Sequence, residues 1–387
     1  MDFDLSPEHN MLRETVRLFA EKEVKPYVAA LDEREEFSLE LTTRMGEMGF
    51  LGIIFPEEYR GQGLDYLSYI ITVEELARVD GSQAATVAAG VSLGVSPIYY
   101  FGNEIQKKKY LPKLCSGELL WGFGLTEPNA GSDAGNTNTT AVLDGNEWVI
   151  NGQKIFITNG ASEMTGGVTV QAVTGTKSDG RKELSCILVE SGAKGFDQKP
   201  MHGKLCWRAS NTGELYFEDV RVPKENLLGK RGEGFHQMLS TLDGGRLSIG
   251  AMGLGGAQGV FEEALKYSQE RVQFGKPIGE FQVNAFKLAD MATKIEQARL
   301  LLYKATWLRD QDRPFGKEAA MAKLVCSEVF HDCADAAVQL HGGYGLMKEF
   351  PVERFYRDQK LLEIGEGTSE IQRLVIARHL TGSRRTL

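Results

Sequence analysis

The spacing of apolar residues changes period twice along the chain. From Ser6 onward, Leu12, Val16, Phe19 and Val24 recur at helical spacing, which lays one apolar stripe along a helix. Ser6 followed by Pro7 supplies an N-cap and a proline at the first helical position. Further helices are expected over 67–79, 83–100 and 104–111. Near Trp121 the period drops to two. "AVLDGNEWVINGQKIFIT" holds two strand-like runs, and Asp144-Gly145 and Asn151-Gly152 each read as a hairpin turn. "GGVTVQAVT", "ELSCILVE" and "GELYFEDVRV" continue the alternation. After about Gly232 helical spacing returns over 234–269, 281–309 and 317–340, runs long enough for a bundle, with "FGKPIGE" and "QDRPFG" between them. The pattern predicts an α-helical domain over 1–120, a β domain over 121–232 and a second helical domain over 233–387. No internal repeat and no low-complexity tract interrupts it.

Composition narrows the function classes. The chain has 387 residues, 42% hydrophobic and 25% charged, ordinary values for a globular protein. A net charge of −9 argues against nucleic acid or an anionic membrane as the main partner. An anionic substrate needs only a local basic pocket. Five scattered cysteines, Cys115, Cys186, Cys206, Cys326 and Cys333, and six histidines show neither C-x-x-C nor H-E-x-x-H spacing, so neither a disulfide framework nor a metal site is expected. The start "MDFDLSPEHN" is acidic where a targeting peptide is basic. "QAATVAAGVSLGVSPIYYF", from Gln83, is rich in small residues and broken by Pro97, which reads as a packed interior helix rather than a membrane span. The expectation is a cytoplasmic protein without membrane insertion.

Two stretches invite chemistry. "GGRLSIGAMGLGGAQG", Gly244 to Gly259, looks at first like a dinucleotide fingerprint. It lies inside a helical run with the wrong spacing, so a Rossmann site is not expected. Each helical glycine costs about 1 kcal/mol relative to alanine; close approach of another helix or of a flat ligand would justify them. In "IGEGTSEIQR", Ile364 to Arg373, Glu366 stands between Gly365 and Gly367. Locally it could be a solvated residue ahead of a Ser369/Gln372 capping box, or a carboxylate left open to a ligand.

Six segments together resolve these readings. "GFGLTEPNAGSD", "NGQKIFITNG", "TLDGGRLSIG", "ERVQFGKPIGEFQ", "QLHGGYG" and "IGEGTSEIQR" resemble the acyl-CoA dehydrogenases, closest to the short-chain, butyryl-CoA type, in order over nearly the whole chain. The resemblance implies an α+β multidomain fold: an N-terminal helical domain, a middle β-barrel or sandwich domain and a C-terminal four-helix bundle. It also implies a homotetramer with one FAD per subunit. The reaction would be α,β-dehydrogenation of an acyl-CoA thioester, with electrons passed to an electron-transferring flavoprotein.

In that resemblance Glu366 is the catalytic base, and flanking glycines let a flat ring and a thioester approach it. The segment with Phe123, Leu125, Thr126 and Ser132 would run along the flavin, Ser132 also reaching substrate. Phe156 and Thr158, alternating along a strand, would face the ring while Ile157 faces away. Arg271, Phe274 and Gln282 would reach the cofactor of a neighbouring subunit, with Gln339, Gly342 and Gly343 at its pyrophosphate. Thr368, Ser369 and Glu370 would complete the cofactor set at a helix start. Asp243, Arg246, Gly365, Gly367, Gly90 and Val91 would line the substrate site. Some relatives carry the base immediately before the arginine matching Arg246; here that position is Gly245.

The chain departs from the short-chain pattern at Gly365, where tyrosine is usual, and at Gly90-Val91, where a bulkier pair is. Both departures predict a wider acyl cavity and a branched, cyclic or aryl-bearing acyl group, with Trp207 of "KLCWRAS" refilling part of it. The absence of an acidic residue or arginine between Gln83 and Gly102 makes a dicarboxylic acyl group less fitting. The alternatives are an enoyl-CoA reductase running the reverse reaction and a non-catalytic assembly on the same scaffold. An acyl-CoA oxidase fits less well, lacking here the extra C-terminal domain of those relatives.

Overall fold

The computed structural model describes residues 4–382; the first three residues of the acidic N-terminal run lie outside it. Seven helices come first: α1 (Pro7–Phe19), α2 (Lys25–Arg34), α3 (Leu39–Glu47), α4 (Tyr66–Ala77), α5 (Gly81–Ala89), α6 (Ser96–Phe101) and α7 (Glu104–Cys115). The Ser6 hydroxyl accepts from the His9 amide and Pro7 opens α1, so the predicted start holds. A wide turn of π-helix, Gly90–Val95, joins α5 to α6. The stretch Gly81–Phe101 is long and apolar enough to cross a membrane, but 78% of its most apolar window is buried inside the molecule. Its small residues let neighbours pack closely, as expected.

The middle of the chain folds as β1 (Leu120–Gly124), β2 (Thr140–Asp144), β3 (Glu147–Thr158), β4 (Thr165–Thr176), β5 (Lys182–Glu190), β6 (Phe196–Pro200), β7 (Thr212–Pro223) and β8 (Leu227–Leu228). They form one mixed sheet in the order β6-β7-β3-β2-β4-β5-β8, with β1 pairing parallel to β4. Trp148, Ile150, Ile157, Val168, Leu215 and Phe217 fill a core of their own. Asp144-Gly145 turns the β2–β3 hairpin as predicted. Asn151-Gly152 does not turn. It sits within β3, at a register shift against β7. Gly152 has φ +147°, and a β-carbon there would lie 2.5 Å from Thr139 Oγ1. Glycine at this point serves a bulge and a close crossing rather than a hairpin.

The C-terminal helices are α8 (Gly234–Glu270), α9 (Gln282–Asp310), α10 (Gly316–His341), α11 (Val352–Leu362) and α12 (Ser369–Thr381); a small hairpin, β9 (Val272–Gln273) with β10 (Lys276–Pro277), follows α8. α10 packs along α8 and α9, and α4 crosses α8. One large apolar core therefore runs through both helical regions. The glycine-rich run lies on α8. β-Carbons would meet the Cys326 carbonyl at 2.8 Å from Gly253, the Glu74 carbonyl at 2.1 Å from Gly255 and the Arg78 carbonyl at 2.0 Å from Gly259. Helix packing explains this half of the run.

Candidate active site

Gly245, in the other half of the run, faces a side chain instead of a helix. A β-carbon at 245 would sit 1.9 Å from Glu366 Oε2. The vacancy on α8 is thus the space that the Glu366 carboxylate fills. Glu366 lies in the short link between α11 and α12 with φ +53°, beside Gly367 at +94°. A left-handed glutamate costs of order 1 kcal/mol or more and persists only when its surroundings hold it. Two buried side chains do so. Lys323 Nζ on α10 donates to the Gly367 carbonyl at 2.8 Å. Gln372 Nε2 on α12 donates to the same oxygen at 2.8 Å, and to the Glu366 carbonyl at 3.3 Å. Gly367 is required twice, for its φ and because a β-carbon would meet Gln372 Nε2 at 2.8 Å.

Glu366 as a residue is half-buried. Oε2 is buried without a hydrogen-bond partner. Burial pushes the Glu366 carboxyl up to about 7, against the opposing pull of Lys323 and Arg246. A buried polar atom left unpaired costs roughly 1–3 kcal/mol, so this one asks for a ligand. Burial also brings Lys323 down to about 8. Arg246, likewise buried, pairs with Asp243 at 2.5 Å, which places both predicted substrate residues on the same stretch of α8 as Gly245.

The predicted flavin segments meet each other. The Ile155 amide donates to the Thr126 carbonyl at 3.0 Å, joining β3 to the segment after β1. Lys154 Nζ, wholly buried, reaches the Leu125 carbonyl at 3.1 Å and Glu127 Oε1 at 2.7 Å. Glu127 in turn accepts from the amides of Asn138 and Thr139. Phe123 and Leu125 are buried, Thr126 is half-buried and Ser132 is exposed. Phe156 is 62% exposed with φ +62°, Ile157 is buried and Thr158 is half-buried. The inward–outward pattern is the one expected, but a register shift after Lys154 and the left-handed Phe156 produce it.

Asn159, next along the chain, is fully buried and donates to the Thr86 carbonyl at 3.0 Å. It ties the end of β3 to α5 and so to the turn containing Gly90 and Val91. That turn packs on α8. The cavity expected at Gly90 is not there: a β-carbon would lie 2.6 Å from Leu51 Cδ2, and Val91 is fully buried. Leu51 has filled the volume. Trp207 does not refill a cavity at the base either; it packs on Gly81, and its amide donates to Asp358 at 2.8 Å. At Gly365 a β-carbon would touch only Leu361, nearest at 3.1 Å.

The Ser369 capping box is displaced by one residue. Thr368 is the N-cap of α12 and accepts from the Ile371 amide, while Ser369 is buried with its hydroxyl unpartnered and Glu370 is exposed. The other predicted cofactor residues lie elsewhere. Arg271, Gly342 and Gly343 line a groove of about 460 Å³ with Tyr344 and His341. Phe274, 95% exposed, stands on the β9–β10 turn, and Gln282 and Gln339 are exposed. This group gathers at the C-terminal end of α10. Lys323 lies near the other end, roughly 27 Å away at 1.5 Å per residue. Sequence reasoning missed Lys323 and Lys154. The available signal was a lysine among Ala319, Ala320, Ala322 and Cys326, on what is otherwise an apolar helix face.

The acyl-CoA dehydrogenase N-terminal, middle and C-terminal domain models match residues 6–118, 122–220 and 232–381. The chain is 52% identical to a probable acyl-CoA dehydrogenase, YngJ, of Bacillus subtilis, over 98% of this chain and 100% of that one. It is 49% identical to a short-chain specific acyl-CoA dehydrogenase of Clostridium acetobutylicum, over 97% and 99%. The solved butyryl-CoA dehydrogenase of Megasphaera elsdenii superposes with TM-score 0.95 at 42% identity, covering 98% of this chain and 100% of that one. A chain in a structure described for the electron transferring flavoprotein of Acidaminococcus fermentans superposes with TM-score 0.95 at 46% identity, covering 99% and 100%. A glutaryl-CoA dehydrogenase from Mycobacterium smegmatis in complex with FADH2 gives 0.93 at 31% identity, covering 99% and 97%. Three domain models matched in order from end to end, and relatives about half identical over nearly the whole chain, make this chain a member of the acyl-CoA dehydrogenase family and an oxidoreductase acting on CH–CH groups.

Proposed function

We propose that Glu366 is the base that removes the α-proton of a bound acyl-CoA. The observation that carries this reading is its buried, unpartnered Oε2, held against Gly245. An α-proton beside a thioester is weakly acidic, and a base with a pKa near the working pH balances availability against strength. Burial supplies that value here, about 7. Cα–H breaks, the proton passes to Glu366 Oε2, and the Cα–Cβ double bond forms as the β-hydrogen leaves as hydride.

The residues present fit FAD, the family's cofactor. Phe156 offers an exposed aromatic face on a strand end, and Gly342 and Gly343 have nothing within 4 Å of a would-be β-carbon, so a pyrophosphate could approach that backbone. Phe123, Leu125, Thr126, Ser132, Phe156 and Thr158, with Thr368, Ser369 and Glu370, would hold it in one subunit; Arg271, Phe274, Gln282, Gln339, Gly342 and Gly343 would reach the copy in a neighbour. When bound, FAD accepts the β-hydride. Lys154 and Glu127 keep the Leu125–Thr126 backbone in place, and Arg246 and Asp243 would meet the CoA end of the substrate.

The separation of the two residue groups across α10 supports a shared cofactor and hence a homotetramer. Electrons would pass on to an electron-transferring flavoprotein in the cytoplasm. The acyl group is short, with any extra width confined to Gly365 because Leu51 closes the Gly90 side. The test is the flavin spectrum under anaerobic addition of straight, branched, cyclic and aryl acyl-CoAs. Bleaching by short straight or branched chains, lost in Glu366→Gln, is the expected result. Equal bleaching in that variant would remove Glu366 from the role of base.

A further inference from the structure

The base is held by groups that do not touch the substrate, and one of them carries charge. Lys323 is wholly buried on α10 and spends its ammonium on a single backbone carbonyl, Gly367 O, one residue past Glu366. Burying an ammonium with no carboxylate bonded to it is costly, and for fold stability alone an apolar side chain would serve better. Gln372 already donates to the same carbonyl at the same distance, so the hydrogen bond alone does not explain a lysine.

We propose that Lys323 is a positioning residue for proton abstraction: its ammonium clamps the Gly367 carbonyl, holds Glu366 in its left-handed conformation over Gly245, and supplies a positive charge beside the carboxylate whose Oε2 is buried and unpartnered. This rests on Glu366 being the base. Other elements also present charge to the pair. From α8 come Arg246, already paired with Asp243. Glu363 ends α11, paired with Lys360 and His331, and Glu370 starts α12. From α4 come the Tyr66 and Tyr69 hydroxyls, with Arg309 of α9 stacked on Tyr66 at 4.0 Å. Among the charged side chains of the described residues, only Lys323 is both bonded to the Glu366 link and free of a carboxylate hydrogen bond. The shifts agree in direction: Lys323 lowers the Glu366 carboxyl, and Glu366 raises Lys323.

Loss of this charge has a signature that loss of packing lacks. An opposite charge a few ångströms away moves a carboxyl by about 1–3 pH units. In Lys323→Met, the acidic limb of single-turnover flavin reduction by a saturating short acyl-CoA should therefore move up by about one unit or more. At pH 7 the rate should fall about fivefold or more, recovering toward pH 9, with KM nearly unchanged. Lys323→Gln, which keeps a donor for Gly367 but no charge, should recover thermal stability and flavin content while keeping the shifted limb. Lys323→Arg should restore the limb at least in part. An unmoved limb in Lys323→Gln, with rates within twofold of the parent, would reduce Lys323 to packing. So would a limb that moves equally in Gln372→Met, which removes the second donor and no charge. Glu366→Gln run in parallel separates the two ideas. If it stays inactive while the lysine variants keep the parent's limb, the base reading survives and the clamp does not; if it still reduces flavin, the base reading itself is gone.

Discussion

At the scale of single residues, Glu366 combines what catalysis needs with what stability does not. Its folded-state carboxyl is raised to about 7 from 4.5, so ionisation is disfavoured in the fold. The penalty is absent below about pH 4.5, grows as pH rises through the window to 7, and is constant above, at about 3 kcal/mol. Glu366→Gln should therefore melt higher than the parent at pH 8 and no higher at pH 4.5, while flavin reduction drops by three orders of magnitude or more. Thermal melts at the two pH values check the first point and stopped-flow absorbance the second. In the parent, kcat/KM should fall about tenfold per unit below pH 7, because only the ionised base accepts a proton. Gly245→Ala places a methyl 1.9 Å from Glu366 Oε2 and should depress flavin reduction more than tenfold without loss of bound flavin. A normal rate in that variant would mean that the carboxylate can work from elsewhere.

At the scale of elements, α8 divides its glycines between two tasks. Gly244 and Gly245 face the site, where the Tyr66 hydroxyl donates to the Gly244 carbonyl and Glu366 fills the space at 245. Gly253, Gly255, Gly256 and Gly259 let α4 and α10 approach. Gly259→Ala drives a β-carbon to 2.0 Å from the Arg78 carbonyl, a backbone atom that cannot swing aside. Overpacking of this kind costs about 1–3 kcal/mol, to be read as a lower melting temperature with the acidic limb of catalysis unmoved. Glycine content was visible in the sequence, but its assignment to helix packing or to the ligand was not. That choice depends on which way each Cα points once α4, α10 and the α11–α12 link have arrived. The same holds for Asn151-Gly152. A hairpin dipeptide and a bulge in a long strand look alike until Thr139 crosses beside it.

At the scale of the molecule, α11 fastens the three parts together. Asp358 accepts from the Trp207 amide in the loop between β6 and β7, Arg354 donates to the Val79 carbonyl, and Arg357 binds Asp32 on α2. α11 leads directly into the Glu366 link, so this fastening sets where Glu366 emerges. The second group of proposed cofactor residues stands apart, around Arg271 and Gly342. If a neighbouring subunit completes that end, Arg271→Ala should lower the ratio of flavin to protein absorbance, with circular dichroism unchanged and Glu366 chemistry recovered at high added FAD. Full flavin retention in a variant confirmed as tetrameric by light scattering would count against a shared cofactor.

The periods of the hydrophobic pattern were enough to divide the chain into helix, strand and helix, because 3.6 and 2 are properties of local backbone geometry. The start of α1 and the β2–β3 turn were legible for the same reason: caps and turns are satisfied by neighbours in sequence. The six segments, taken in register, singled out Glu366 as the candidate base and a set of candidate cofactor residues. What they could not carry was contact between residues far apart in the chain. Lys323 lies 44 positions from the carbonyl it clamps, and Leu51 closes the space that Gly90 leaves. Thr368, not Ser369, caps α12. Side-chain volume, buried charge and left-handed backbone are decided where separate elements meet, and only the tertiary structure places those meetings.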